Sequence, residues 1–282
     1  MFLYTQNFLG LPNVAPKNAD VLILPVPYDG TTSYQPGARF GPEAIIAASQ
    51  QVELYDHELK RDVTERVKVA TLPSIEPDFS SPEAQVNRVY GVTKKFLKDK
   101  QFLVTIGGEH SITPGVVRAL IEKFRDVTVL QIDAHTDMRE EWENTKWSHA
   151  CAMKRCRDLG LPVVHVGTRN TSQEEQQFLD QKNVFYAPTV PVEKILERIT
   201  TKNVYLSIDV DAFDPSIMPS TGTPEPGGLL WHDVLQLIRV LTRERKLVGC
   251  DVTELAPIPG LRAPDFLVAK LVYKIIAYTF FK

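Results

Sequence analysis

The chain has 282 residues, 43% of them hydrophobic, enough for one large α/β domain with a well-buried core. Its 35 acidic and 32 basic residues leave a formal charge of -3, which gives no electrostatic reason to expect nucleic acid or an anionic membrane as partner and points to a small molecule. Three cysteines, Cys151, Cys156 and Cys250, are odd in number and too few for a disulfide scaffold, so they are expected to pack in a reduced, cytoplasmic protein.

In chain order, MFLYTQNFLG lacks the basic start and continuous apolar run of a signal peptide, so no export signal is expected. VLILPV (21 to 26) and VKVATL (67 to 72) read as strands, with Pro42 opening a helix between them, where a missing N–H costs nothing. Pro82 opens a helix over 82 to 98. The strands FLVTI (102 to 106) and VTVLQI (127 to 132) follow, each ending in a polar motif, GGEHS (107 to 111) and DAHTD (133 to 137). PVVHVG (162 to 167), NVFYA (183 to 187) and NVYLSI (203 to 208) continue the series, with a helix over 191 to 200 opened by Pro191. DVD (209 to 211) follows the last of these strands. The Gly/Pro-rich stretch 215 to 228 is the longest irregular segment, and such a loop in a compact domain is more often functional than idle. A helix over 231 to 243, the strand LVGCDV (247 to 252) and Glu254 precede the apolar segment 266 to 281. That segment is too short to span a bilayer comfortably and carries Lys270 and Lys274, so it reads as a final packed helix.

Strands apolar on both faces, alternating with helices, are the pattern of a parallel sheet covered on each side. The expected fold is an α/β three-layer α/β/α sandwich with a roughly eight-stranded, mainly parallel sheet, in a single domain spanning 1 to 282. In such a sheet the carboxyl ends of the strands share one edge, where ligands bind. His110, Asp133, His135, Asp137, Asp209 and Asp211 all fall just beyond strand ends. Alternate residues of an extended backbone point the same way, so Asp133, His135 and Asp137 are expected on one side, and Asp209 and Asp211 likewise. Taken alone, Asp209 could cap a loop and His110 could be a hydrogen-bonded core histidine. Together, four carboxylates crowded without counter-charge repel one another, so the cluster makes sense with two bridged cations. Hard oxygen ligands with imidazole and no thiolate favour two Mn2+, with iron, cobalt or zinc as other divalent occupants.

The motifs GGEHS, DAHTD followed by SHA (148 to 150), SIDVDAFDPS (207 to 216) running into TGTPEPGG (221 to 228), and PYDGTTSYQPGARFGPEAI (27 to 45) cover nearly the whole chain. In that order they resemble the ureohydrolase family of arginases and agmatinases, agmatinases most. The resemblance implies an arginase-like fold and a metal-dependent amidinohydrolase. It implies that one metal takes His110, Asp133, Asp137 and Asp209 and the other takes Asp133, His135, Asp209 and Asp211. It also implies that Glu254 holds the substrate guanidinium, that His149 shuttles a proton, and that the chain forms a homotrimer or homohexamer. Asp137 is a further candidate, as the group that orients the attacking water.

The substrate expected from this resemblance is a small cationic guanidino compound, foremost agmatine, cleaved to putrescine and urea in polyamine biosynthesis. Aminopropylagmatine, giving spermidine and urea, satisfies the same charges, and arginase or guanidinobutyrase activity is a further alternative. In the loop MREEWENTKW (138 to 147), Glu140, Glu141 and Glu143 suit a substrate's distal cation, or else form a solvated acidic loop balanced by Arg139 and Lys146. Two competing readings are a dinuclear phosphoesterase, which needs phosphate-binding cations beyond Arg139 and Arg169, and a non-catalytic binding relative, which loss of a ligand would mark.

Overall fold

A computed structural model describes residues 7–12, 14–97 and 101–281. Most of the MFLYTQNFLG segment, and Lys98 at the end of the helix expected over 82 to 98, therefore lie outside the described residues. The elements are β1 (Val21–Val26), α1 (Gly41–Ser49), a hairpin of β2 (Tyr55–Asp56) and β3 (Arg61–Asp62), β4 (Val69–Thr71), α2 (Pro82–Phe96), β5 (Phe102–Gly107), α3 (Thr113–Ile121), β6 (Val127–Ile132), α4 (Ala152–Asp158), β7 (Val163–Thr168), β8 (Val184–Tyr186), α5 (Val192–Arg198), β9 (Asn203–Asp209), α6 (Trp231–Glu244), β10 (Lys246–Thr253) and α7 (Ala263–Phe280).

Eight strands form one sheet in the order β4-β1-β5-β10-β9-β6-β7-β8, every pair parallel. Alternate residues feed two cores. Val21 and Ile23 of β1 join the core under α1, α5, α6 and α7, whereas Leu22 and Leu24 join the core under α2, α3 and α4. That is the expected three-layer sandwich, its strands apolar on both sides because helices cover both.

Helix starts follow local chemistry. Ser81 caps α2, its hydroxyl accepting from Ala84 N at 3.1 Å, and Pro82 occupies the first turn. Pro191 stands one residue earlier than expected, at the N-cap of α5. Helix α7 is the anticipated final helix, but Lys274 is buried in it, paired with Asp56 at 2.8 Å and Glu58 at 3.3 Å. Among the described residues no helix is long and apolar enough to cross a membrane.

The strand order positions the site. β5 and β6 are successive strands of the main sheet, yet two later strands, β10 and β9, lie between them. Four carboxyl ends from distant parts of the sequence thus become neighbours.

Candidate metal centre

The turn after β5 carries Gly108, Glu109 and His110. A side chain at Gly108 would place its Cβ 1.9 Å from the Tyr28 carbonyl oxygen, so only glycine lets the turn pass this close to the β1 exit. Gly108 N donates to Val26 O at 2.8 Å and Glu109 N to Tyr28 O at 2.7 Å, fixing where His110 begins its helical turn.

The residues after β6 and β9 reach the site differently from the sequence expectation. Neither DAHTD nor DVD runs on as extended backbone. Asp133 Oδ1 accepts from His135 N at 2.6 Å, and Asp209 Oδ1 accepts from Asp211 N at 2.8 Å, so each aspartate closes a tight turn around its own motif. Asp137 then sits at φ 51° and Glu254 at φ 66°, both left-handed, a strained conformation that the surroundings must impose. Glu254 is held by its own N–H on Gly108 O at 2.7 Å and by His110 N, which donates to its Oε1 at 2.7 Å.

All six expected ligands come together. His110 Nδ1 lies 3.1 Å from Asp133 Oδ2, 2.9 Å from Asp137 Oδ2 and 3.5 Å from Asp209 Oδ2, while His135 Nδ1 lies 2.9 Å from Asp211 Oδ2 and 3.7 Å from Asp133 Oδ1. Two groups, His110–Asp133–Asp209 and Asp133–His135–Asp211, each place ligand atoms within 4.8 Å of one another and could hold a metal ion, with Asp133 common to both. Their chemistry fits cations. His110 Nε2 faces Ser207 Oγ at 2.8 Å, and Ser207 in turn donates to Asp251 Oδ1 at 2.6 Å, so Nε2 must carry the proton. Burial opposes a charge on His110, but Asp133 and Asp137 beside its Nδ1 outweigh burial and hold the ring well above the ordinary imidazole value, so a second proton stands at the buried Nδ1 facing three carboxylates. A cation satisfies this arrangement. Burial, reinforced by the charge of Asp133, pushes Asp137 up to about 7, and burial with Asp211 and Asp133 pushes Asp209 well above the usual carboxylate range. Cations would replace the protons that these groups otherwise hold.

His149, His135, Asp137, Glu254 and the loop residues Gly222 and Thr223 line one cleft with Thr32, Trp142 and Asn170. Burial, and then the facing imidazoles of His110 and His135, push His149 down to about 4. Burial pushes Glu254 well above the carboxylate range, with Glu109 adding to it. None of Glu140, Glu141 and Glu143 lines the cleft. Glu140 is tied to Lys154 at 2.8 Å and Arg155 at 3.3 Å, which together with its hydrogen bonds pull it down to about 2. Glu140 therefore belongs to a local ion-pair network, which Lys146 joins at 3.4 Å as the acidic-loop alternative had it, whereas Arg139 pairs with Glu174 at 3.8 Å instead.

A sequence model of the arginase family matches residues 19–277. The chain belongs to the arginase family. An N(1)-aminopropylagmatine ureohydrolase from Synechocystis sp. is 41% identical over 273 residues, covering 93% of this chain and 89% of that protein. An agmatinase from Pyrococcus horikoshii is 34% identical over 98% of both chains. The crystal structure of an agmatine ureohydrolase from Thermoplasma volcanium superposes with a TM-score of 0.88 at 31% identity, covering 98% of this chain and 95% of the other. Arginase-family ureohydrolases are hydrolases of guanidino groups that depend on a binuclear metal centre, and this member is such a hydrolase with side chains suited to that centre.

Sequence reasoning missed the layer beneath the ligands of this arginase-family site. Thr105, Asp251, Ser207, Gln131 and His165 pair across five adjacent strands as one transverse row. Gln131 Nε2 donates to Asp133 Oδ2 at 2.6 Å, and its carbonyl accepts from His165 Nδ1. A signal was present. Each is a polar residue inside an otherwise apolar strand, and polar groups are buried there only with partners.

Proposed function

We propose that this chain hydrolyses N1-aminopropylagmatine to spermidine and urea in the cytoplasm, as a trimer or hexamer, with two divalent cations, Mn2+ foremost. The observation that carries the reading is the pair of ligand groups sharing Asp133, beside a buried Glu254 whose Oε1 is already fixed by His110 N. His110, Asp133, Asp137 and Asp209 would hold one cation and Asp133, His135, Asp209 and Asp211 the other. When bound, the pair supplies a water acidic enough to attack near neutral pH.

The chain's own residues supply the rest. A carboxylate that burial has made costly to ionise gains most from a cationic partner, and Glu254 offers the guanidinium's N–H fork such a charge-assisted site. Asp137, with Oδ2 directed at the same ligand group, orients the attacking water. Attack forms the C–O bond at the guanidinium carbon, and the bond to the alkyl nitrogen then breaks. The departing amine must take up a proton, and His149 at the cleft wall, neutral because burial holds it down at about 4, accepts the proton of the newly added hydroxyl and passes it to that nitrogen.

Of the two cations that a phosphoesterase or an α-carboxylate substrate would need, Arg169 is engaged elsewhere, while Arg139 lines the cleft but is held against Trp142. Arg169 donates to the carbonyls of Asp211 at 2.6 Å and Glu225 at 2.7 Å, and Arg139 stacks on Trp142 at 4.1 Å. Beside Arg139, the outer cleft is lined by Glu175 and by neutral polar groups of Ser33, Asn170, Thr171 and Ser172, which suit an amine chain. The 41% identity to the Synechocystis enzyme supports the longer substrate. Agmatine is the second reading, supported by the Pyrococcus and Thermoplasma relatives. The three buried, unpaired cysteines suit a reducing compartment.

Purified protein loaded with Mn2+ is to be offered aminopropylagmatine, agmatine, arginine, guanidinobutyrate and a phosphate ester, with urea, amine and phosphate measured. Urea with spermidine at the highest kcat/KM is expected. A higher kcat/KM on agmatine selects the second reading, and phosphate without urea overturns both.

A further inference from the structure

The N-terminal segment PYDGTTSYQPGARFGPEAI lends Ser33 to the outer cleft but has no part in the proton transfer as drawn so far. Asp29 is buried beneath it, accepting from Gly37 N at 3.0 Å and pairing with Arg39, so the loop is folded back on itself. This brings Thr31, only 8% exposed, between Glu109 and His149.

The hydrogen bonds there leave little choice of direction. Glu109 is fully buried and receives Thr31 N on Oε2 at 2.7 Å, and the hydroxyls of Thr31, at 2.6 Å, and Ser111 on Oε1. Three donors converging on two oxygens are the environment of a carboxylate that accepts. The Thr31 hydroxyl has a single proton, and that proton goes to Glu109. Its oxygen then accepts from His149 N at 3.0 Å, and its remaining contact, 3.2 Å to His149 Nδ1, can be a hydrogen bond only if Nδ1 donates. Ser148 Oγ, 3.3 Å from the same nitrogen, is free to turn and accept as well.

We propose that Thr31, itself held by Glu109, is a positioning residue that fixes His149 as the Nδ1–H tautomer and leaves the lone pair on Nε2 for the proton transfer. The inference rests on the reading of His149 as the proton carrier. A histidine able to swing or to change tautomer spends part of its time with the wrong nitrogen presented, and the threonine removes that freedom from both the backbone and the ring of one residue. The segment then contributes to the chemistry without touching the substrate carbon.

Imidazole nitrogen spectra separate this claim from the activity. The full chain, labelled with 15N-histidine and loaded with diamagnetic Zn2+, is recorded at about pH 8.5, where an ordinary imidazole is neutral. His149 is assigned by its loss in His149→Asn. The wild type and Thr31→Ser are expected to show a protonated Nδ1 and an unprotonated Nε2, and Thr31→Val is expected to move toward the opposite tautomer. In the Mn2+ enzyme, Thr31→Val should lower kcat about ten-fold, the order of one lost hydrogen bond, with KM within about two-fold and recovery in Thr31→Ser. A wild-type His149 protonated on Nε2, or a Thr31→Val spectrum identical to wild type, overturns the proposal. Unchanged turnover in His149→Asn would instead sink the proton-carrier reading, while the spectra still decide the tautomer.

Discussion

A buried Nδ1 aimed at three carboxylates is the feature that makes His110 more than a core histidine, and its aim depends on one hydroxyl behind the ring. Burial alone does not single out functional residues in this protein. Lys274 is as buried as His110, 3% exposed against 1%, but its ammonium is matched by Asp56 and Glu58, and Tyr278 OH donates to Glu58 as well. It is a structural ion pair holding α7 to the β2–β3 hairpin. Burial acting alone would raise Asp56 and Glu58, but for Asp56 the hydrogen bond to Lys274 and for Glu58 the hydrogen bond to Tyr278, followed by the charge of Lys274, outweigh it and both are lowered. With folded values below unfolded ones, their contribution is present above about pH 4 and is lost as pH falls through the folded values. Lys274→Met should destabilise the protein by about 3–5 kcal/mol at pH 7, the cost of stranding a buried carboxylate. In denaturant melts the gap between variant and wild type should narrow as the pH falls below about 4, because protonation neutralises the stranded groups. A gap that is absent at pH 7, or that widens in acid, contradicts the assignment.

At the scale of elements, the strands aim the ligands. β5, β10, β9 and β6 lie side by side, and two residues below the ligand-bearing ends of β9 and β6 runs the row Asp251, Ser207 and Gln131. From this row Ser207 holds the His110 ring and Gln131 holds Asp133. Side chains that orient a ligand through its far atom usually matter to metal affinity by 10- to 100-fold. Ser207→Ala is therefore expected to weaken Mn2+ binding by about 10- to 100-fold in a competition titration, with the circular dichroism spectrum unchanged. Wild-type affinity in that variant would show that the protein matrix alone fixes the His110 ring. The row was legible as an oddity, since Gln, Ser, His and Asp interrupt four apolar strands, but its partners were not, because cross-strand neighbours are set by register.

For the whole molecule, folding gathers four buried aspartates against their mutual repulsion, so the cations are expected to be part of its stability. Mn2+ at about 100 times its dissociation constant would add about 2.7 kcal/mol for one site. Chelation should then lower Tm by about 5 °C or more for a chain of this size. Asp133→Ala, which removes the carboxylate common to both groups, should have a Tm indifferent to Mn2+. A wild-type melt unmoved by chelator, or an alanine variant still stabilised by the metal, would contradict the binuclear reading.

The sequence by itself determined the eight strands, the two covered faces and the six residues that meet at the sheet's edge, because hydrophobic periodicity and motif position are local properties. Tertiary structure decided the rest. Aspartate turns rather than extended backbone present the DAHTD and DVD side chains, each closed by a carboxylate accepting a backbone N–H of its own motif. Glu140 pairs with Lys154 and Arg155 near the surface, and Thr31 comes to lie between Glu109 and His149, 118 residues from the latter. Such pairings depend on which loops the sheet order brings together, and no pattern along a single segment encodes that order.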